Sequence, residues 1–424
     1  MEIVNVGGLS LKNLLTVKGI TAMALAATTT VGAGTLAVSY SISESSKIIK
    51  GVTYEGRDLE GLTVPAAQKF FDDAASKKIH SLTFTYNGQD FEVTPSDIGL
   101  NPLTNKAVAD AESYGRGGGL LKNLGEQIKC ATKGREVKLS AEYNEDLLKQ
   151  KLVGIAAQIN TSPVNAAVRL YGDGTIERIP GVIGKKLNTD EIAESLKDNL
   201  IALNLPEGKI ELHPEETLPF ITTEDIANVD SIIGSYSTTY SPGSRGDNIW
   251  LAASSLCDRI VKPGWTFSFN DTVGERTYSA GYQDAGVIVN GQADVGVGGG
   301  VCQVSSTLYN AVLLAGLTPT ERTPHYFKSA YIGAGRDATV ADGLIDFKFR
   351  NDLAHSVYLT ASASGSTLSV YILGTRADLN GANISIESEG SDMSPSIYRV
   401  YSKDGQVIKD EYLHTDTYHT NTDT

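Results

Sequence analysis

Residues 86–99 run YNGQDFEVTPSDIG and residues 171–184 run YGDGTIERIPGVIG. Tyr86 and Tyr171, Pro95 and Pro180, Ile98 and Ile183, and Gly99 and Gly184 are each 85 residues apart, and duplication of one unit is the simplest explanation. Working outward, each copy opens on a helical pattern. One spans Pro65 to Ser76 after Thr63; the other spans Asn144 to Gln158, with Leu147, Leu148, Leu152 and Ile155 at helical spacing. Each then alternates like a strand pair. Leu82, Phe84, Tyr86 and then Phe91, Val93 flank Asn87-Gly88, and Val168, Leu170 and then Ile176, Ile179 flank Gly172-Asp173-Gly174. A helix over Thr189 to Leu200 follows the second copy, with Ile192, Leu196 and Leu200 on one face. The fold class expected is α+β, with this small module present twice, over 44–136 and 137–220.

The other parts differ in character. At 424 residues the chain is long enough for two or three domains. A net charge of -14 argues against a nucleic-acid partner, which needs a basic surface. Gly19 to Ser43 carries no charge, long enough to span a bilayer, and Lys12 and Lys18 precede it. The expectation is a cytoplasmic tail over 1–18, a transmembrane helix over 19–43 and the bulk of the chain outside the cell; cleavage after Ala37-Val38-Ser39 is the other reading. From Thr222 on, a helix is expected over Asn248 to Ile260, ended by Lys262-Pro263-Gly264, then an aromatic strand Trp265 to Asn270 whose rings belong to a core. This mixed α+β, catalytic-type domain is placed at 221–375. Pairs of strands around Ser364-Gly365 and Lys403-Asp404-Gly405 make the end β-rich, with a hairpin tail over 376–424.

Three cysteines, Cys130, Cys257 and Cys302, build no disulfide framework and leave at least one thiol unpaired. Cys302 follows Gly296, Gly298, Gly299 and Gly300 and opens a helical pattern through Leu308, Val312 and Leu313. A helix N-terminus favours a thiolate, and its unpaired N–H groups suit an oxyanion; glycines let a substrate backbone approach. No Gly-Lys-Ser/Thr follows, so a phosphate loop is excluded, and no Lys three positions on activates Ser305 or Ser306. His325 is the nearest downstream histidine to act as base, with His355 the other candidate. Asp337 could orient an imidazole and Arg336 could clamp a carboxylate, although on the residues alone an ordinary structural ion pair is the better explanation. A zinc site from Cys302, His325 and Cys257 or His355 matches no compact ligand spacing. Nothing else in the sequence calls for a cofactor.

Several uncommon strings in fixed order carry a resemblance. PGWTFSFNDTVGERT, GVIVNG, GVGGGVCQVSSTLYNAVLLAGL, ERTPHYFKSAYIGAGRDATVA and DFKFRN, between Pro263 and Asn351, resemble the VanW family. Tyr326 and Gly333-Ala334 depart from its usual pattern. The duplicated units look like the peptidoglycan-binding modules that precede the catalytic domain in some L,D-transpeptidases. Some VanW proteins are implicated in that activity. The resemblance therefore implies an envelope protein whose partners are peptidoglycan stem peptides and glycan. It implies Cys302, His325 and Asp337 as catalytic residues, with Arg336, Gly299, Gly300, Gln303 and Ser305 in substrate binding. A non-catalytic wall-binding scaffold and a hydrolytic carboxypeptidase or endopeptidase are the competing readings.

Overall fold

The computed structural model describes residues 46–289 and 292–420. Its chain forms two compact units: residues up to Thr161 with Lys185–Glu216, and Ser162–Gly184 with Thr217 onward. The fold is mixed α+β.

In the first unit the helix Val64–Lys78 leads into the hairpin Leu82–Tyr86/Gln89–Val93. Its two-residue turn needs φ above zero twice, and Asn87 (48°) and Gly88 (82°) supply it. The helices Glu145–Ile159 and Thr189–Ile201 start at Asn144 and Asn188, whose side chains accept from the N–H groups of Leu147 and Glu191. Phe71, Phe84, Leu148, Leu152 and Leu200 are fully buried in the shared core. The second hairpin, Ala167–Leu170/Ile176–Ile179, belongs to the other unit, where Val168 packs with Ile226 and Tyr358.

The second unit contains β1 (Ser231–Thr239), α1 (Ser244–Ser255), β2 (Arg259–Val261), α2 (Val301–Leu314), β3 (Val357–Ser364), β4 (Thr367–Gly374), β5 (Asn383–Ser391), β6 (Ser394–Lys403) and β7 (Gln406–Thr415). One antiparallel sheet has the order β1-β4-β3-β2, and β5-β6-β7 form another. Helix α2 is buried on all sides, so its polar residues must find partners inside the protein. Thr307 does so with Thr238 of β1, at 2.9 Å between hydroxyls. The approach of α2 to β1 requires Gly234: a Cβ there would lie 2.4 Å from the Ala311 carbonyl oxygen. The strand bulges at this point, between Ile232 and Gly234. Ile384, Ile386 and Leu413 of β5 and β7 pack on the same core as α2.

Some expectations need correcting. The transmembrane helix at 19–43 lies outside the described residues, and among those no helix is long and apolar enough to cross a membrane. The two longest, Val64–Lys78 and Glu145–Ile159, have 15 residues each. That is roughly 22 Å against the roughly 30 Å of a bilayer core. The anchored fold and the single-pass membrane location are corrected accordingly, to a mixed α+β fold in which none of the described helices crosses a membrane. The helix expected over Asn248 to Ile260 is Ser244–Ser255 instead; Asp258, at φ 57°, turns the chain and Arg259–Val261 pairs with β3. Phe267 and Phe269 are core residues, whereas Trp265 points outward, 47% exposed.

Candidate functional site

Helix α2 begins at Gly300, whose φ of 111° only glycine adopts easily, and Cys302 is its second residue. Gly299 is buried against the strand Asp284–Val289: a Cβ there would meet the Ala285 carbonyl at 2.7 Å. The Asn248 side chain donates to the Gly299 carbonyl at 3.0 Å. The glycine run is thus fitted to its own backbone, which fixes the helix start.

Cys302 is half-buried and its thiol lies 3.4 Å from the Val340 carbonyl. The His325 imidazole is close enough to act on the thiol through hydrogen bonding and charge. Asp337, 1% exposed, holds His325 twice: its Oδ2 accepts the backbone N–H at 2.7 Å and lies 2.5 Å from Nδ1. The three side chains expected to act together form one chain of contacts.

Their electrostatics agree with the geometry. Burial opposes ionisation of the Cys302 thiol, but the His325 hydrogen bond and charge outweigh it, and the thiol is more acidic than usual. Burial likewise opposes an imidazolium at His325, yet Asp337 and the thiolate raise its pKa to about 9. Despite burial, Asp337 is held below the usual carboxylate range by His325, Arg322 and Tyr418. Both shifts favour the thiolate–imidazolium form of the pair over the neutral one.

The other expected residues have different surroundings. Gln303 is 1% exposed; its amide donates to Thr238 Oγ1 and the Thr239 carbonyl, and its oxygen accepts from Arg245 at 3.2 Å. Ser305 is buried and donates to the Ala338 carbonyl at 2.6 Å, tying α2 to the irregular segment that carries Asp337. Arg336 donates from Nε to Asn310 at 2.6 Å and lies over the Tyr236 ring. After His325, the cation whose charge acts on the thiol is Arg276 rather than Arg336. Arg276 pairs with Asp342 and lines a cavity of about 570 Å³ with Asp271, Glu275, Glu321 and Lys348. His355 is held by Asp378 at 2.8 Å, and Cys257 contacts the carbonyls of Ala253 and Ala361. Among the described residues no group of three or more His, Cys, Asp or Glu side chains could hold a metal ion.

Sequence reasoning missed Arg276, Tyr331, Arg322, Asp416 and Tyr418. The Tyr331 ring meets His325 edge-on at 6.4 Å, its hydroxyl lies 3.4 Å from Ser306 Oγ, and burial together with the Cys302 thiolate pushes its phenol up. Arg276, Arg322 and Tyr331 lie in strings already singled out by resemblance. Asp416 and Tyr418 follow a plain alternating strand and carry no local signal.

Fold and site together define an α+β protein with a thiol, an imidazole and a carboxylate connected at the start of a buried helix. The family described as "VanW like protein" matches residues 244–373, and the one described as "Putative peptidoglycan binding domain" matches 91–206. The chain is 35% identical over 293 residues to "Uncharacterized protein YoaR" of Bacillus subtilis, covering 68% of this chain and 83% of that one. It is 33% identical over 146 residues to "Vancomycin B-type resistance protein VanW" of Enterococcus faecalis, covering 32% of this chain and 52% of the relative. No solved structure matches. The chain belongs to the VanW family. With the peptidoglycan-binding match it has a cell-wall-associated role, with peptidoglycan as partner.

Proposed function

We propose that the protein is a cysteine L,D-transpeptidase that forms 3-3 cross-links between peptidoglycan stems. The observation that carries this reading is the continuous contact from Cys302 through His325 to Asp337, with the charges arranged for a thiolate. The Cys302 thiolate attacks the carbonyl carbon joining the third stem residue to the terminal D-Ala. The His325 imidazolium gives its proton to the departing nitrogen, the C–N bond breaks, D-Ala leaves and a thioester remains. A side-chain amine of a neighbouring stem then attacks the thioester and gives its proton to the neutral imidazole. The C–S bond breaks, and thiolate and imidazolium are restored. Asp337 keeps the ring oriented and stabilises its charge throughout. Arg336, aligned by Asn310 and Tyr236, holds an anionic group of the stem. Gln303 and Ser305, both satisfied within the protein, support the helix start from behind.

The test is product analysis with disaccharide-tetrapeptides. Wild type is expected to release D-Ala and yield a 3-3 linked dimer, and Cys302→Ala neither. Release of D-Ala with tripeptide as the sole product would make the protein a hydrolase. A wild-type protein inert to every stem would overturn the enzyme reading in favour of a wall-binding scaffold.

A further inference from the structure

Beyond β7 the chain does not leave the site. The Asp416 N–H donates to the Pro395 carbonyl at 3.0 Å, the Tyr418 N–H to Met393 at 2.9 Å and the His419 N–H to Tyr326 at 3.0 Å. The His419 ring stacks on Tyr326, next to His325, at 4.1 Å. This course brings two side chains to the back of Asp337. The Tyr418 hydroxyl donates to Asp337 Oδ1 and accepts the Gly335 N–H at 2.8 Å. Arg322 donates from Nη2 to the same Oδ1 at 3.1 Å and from Nε to the Asp337 carbonyl at 2.7 Å. It also makes a two-pronged pair with Asp416, at 2.5 and 2.7 Å. The side chains of Arg322, Asp337 and Asp416 are 7%, 1% and 4% exposed, so water screens these charges little.

We infer that Asp416 and Tyr418, beyond the stretch matched by the family, are positioning residues of the proposed reaction: they set how strongly the Asp337 carboxylate engages His325. The inference rests on the transpeptidase reading of Cys302. Its logic is a division of charge. One guanidinium is shared between two carboxylates, so Asp416 draws Arg322 away from Asp337 and leaves Asp337 basic enough to hold an imidazolium. Tyr418 acts in the opposite sense, since its donated hydrogen bond takes charge from Oδ1. The groups facing Asp337 are His325, Arg322 and Tyr418. Those facing Arg322 and Asp416 are each other, His414 and Tyr309, and those facing Cys302 are His325, Arg276 and Tyr331.

The two residues should therefore move His325 in opposite directions, which a purely structural role does not do. Loosening alone would shift both variants the same way, or neither. The experiment is an NMR titration of the His325 imidazole in the full chain, for wild type, Tyr418→Phe and Asp416→Asn, with thermal melting of each. Tyr418→Phe is expected to raise the His325 pKa and Asp416→Asn to lower it, each by about half a unit or more. Shifts of the same sign, or none, with wild-type His325 still elevated, overturn the inference and leave the proposed function standing. A wild-type His325 that titrates like a free imidazole removes the thiolate–imidazolium pair, and both readings fall. If Asp416→Asn does not fold, Tyr418→Phe decides alone: it loses only a hydroxyl, an upward shift supports the inference, and no shift overturns it.

Discussion

Replacing Asp337 by Asn isolates the carboxylate's contribution while keeping its size. His325 stands at about 9 against an ordinary 6.5, a difference worth roughly 3 kcal/mol between its two protonation states. That rise is achieved against burial. The Asp337 hydrogen bond is the largest of the interactions that raise it, and a hydrogen bond between charged groups contributes about 2 kcal/mol. Losing 2 kcal/mol lowers the equilibrium constant for the ion pair roughly 30-fold and moves the thiol toward the ordinary cysteine value of about 8.5. An amide also turns an NH2 toward donors already there, either the two of His325 or those of Arg322 and Tyr418. The assay is the rate of iodoacetamide alkylation against pH, mapped to Cys302 by peptide analysis, with thiolate absorbance as a second readout. Wild type is expected to react well below the pH of an ordinary thiol. Asp337→Asn is expected to react at least 10-fold more slowly at neutral pH, with its midpoint moved upward. A variant profile superimposable on wild type would refute the role given to Asp337.

Other outcomes follow from packing and charge. Gly234→Ala drives a methyl into the Ala311 carbonyl, so α2 must move off β1; a loss of about 1–3 kcal/mol in denaturant unfolding is expected, and an unchanged midpoint would contradict the packing. Asn310→Ala removes the acceptor of Arg336 Nε and leaves two carbonyls short of a donor; about 2 kcal/mol of stability should be lost, with weaker stem binding. Asp416 titrates at about 2 when folded against 3.8 when free, burial being outweighed by His414 and Arg322. A depressed carboxylate stabilises the fold above the unfolded value and ceases to as pH falls through the folded one. About 2 kcal/mol should therefore be lost as pH falls from about 4 to 2 in wild type and be missing from Asp416→Asn, as read from unfolding midpoints.

How much of this was legible beforehand depended on the range of the interactions. Asn87-Gly88 announced its hairpin because the turn's own dihedrals demand those residues. Cys302 at a glycine-preceded helix start, and His325 just past that helix, were readable because both are placed by α2 and its exit. The helix boundary near Asn248 was not, since the sheet captures Arg259–Val261 and overrides the helical spacing. Arg336 looked like a free clamp; only the fold brings it to Asn310 and Tyr236. Tyr418 reaches Asp337 across 81 residues and Asp416 reaches Arg322 across 94, and no local pattern encodes either encounter. The uncharged stretch over 19–43 lies outside the described residues, and no described helix is long and apolar enough to cross a membrane.

Nucleophilic attack by Cys302 is tested most directly by intact-mass measurement after incubation with a tetrapeptide stem or a carbapenem. Wild type should gain the mass of the stem less D-Ala, or of the opened carbapenem, located on Cys302, and Cys302→Ala should gain nothing. An adduct that persists in Cys302→Ala would contradict the assignment.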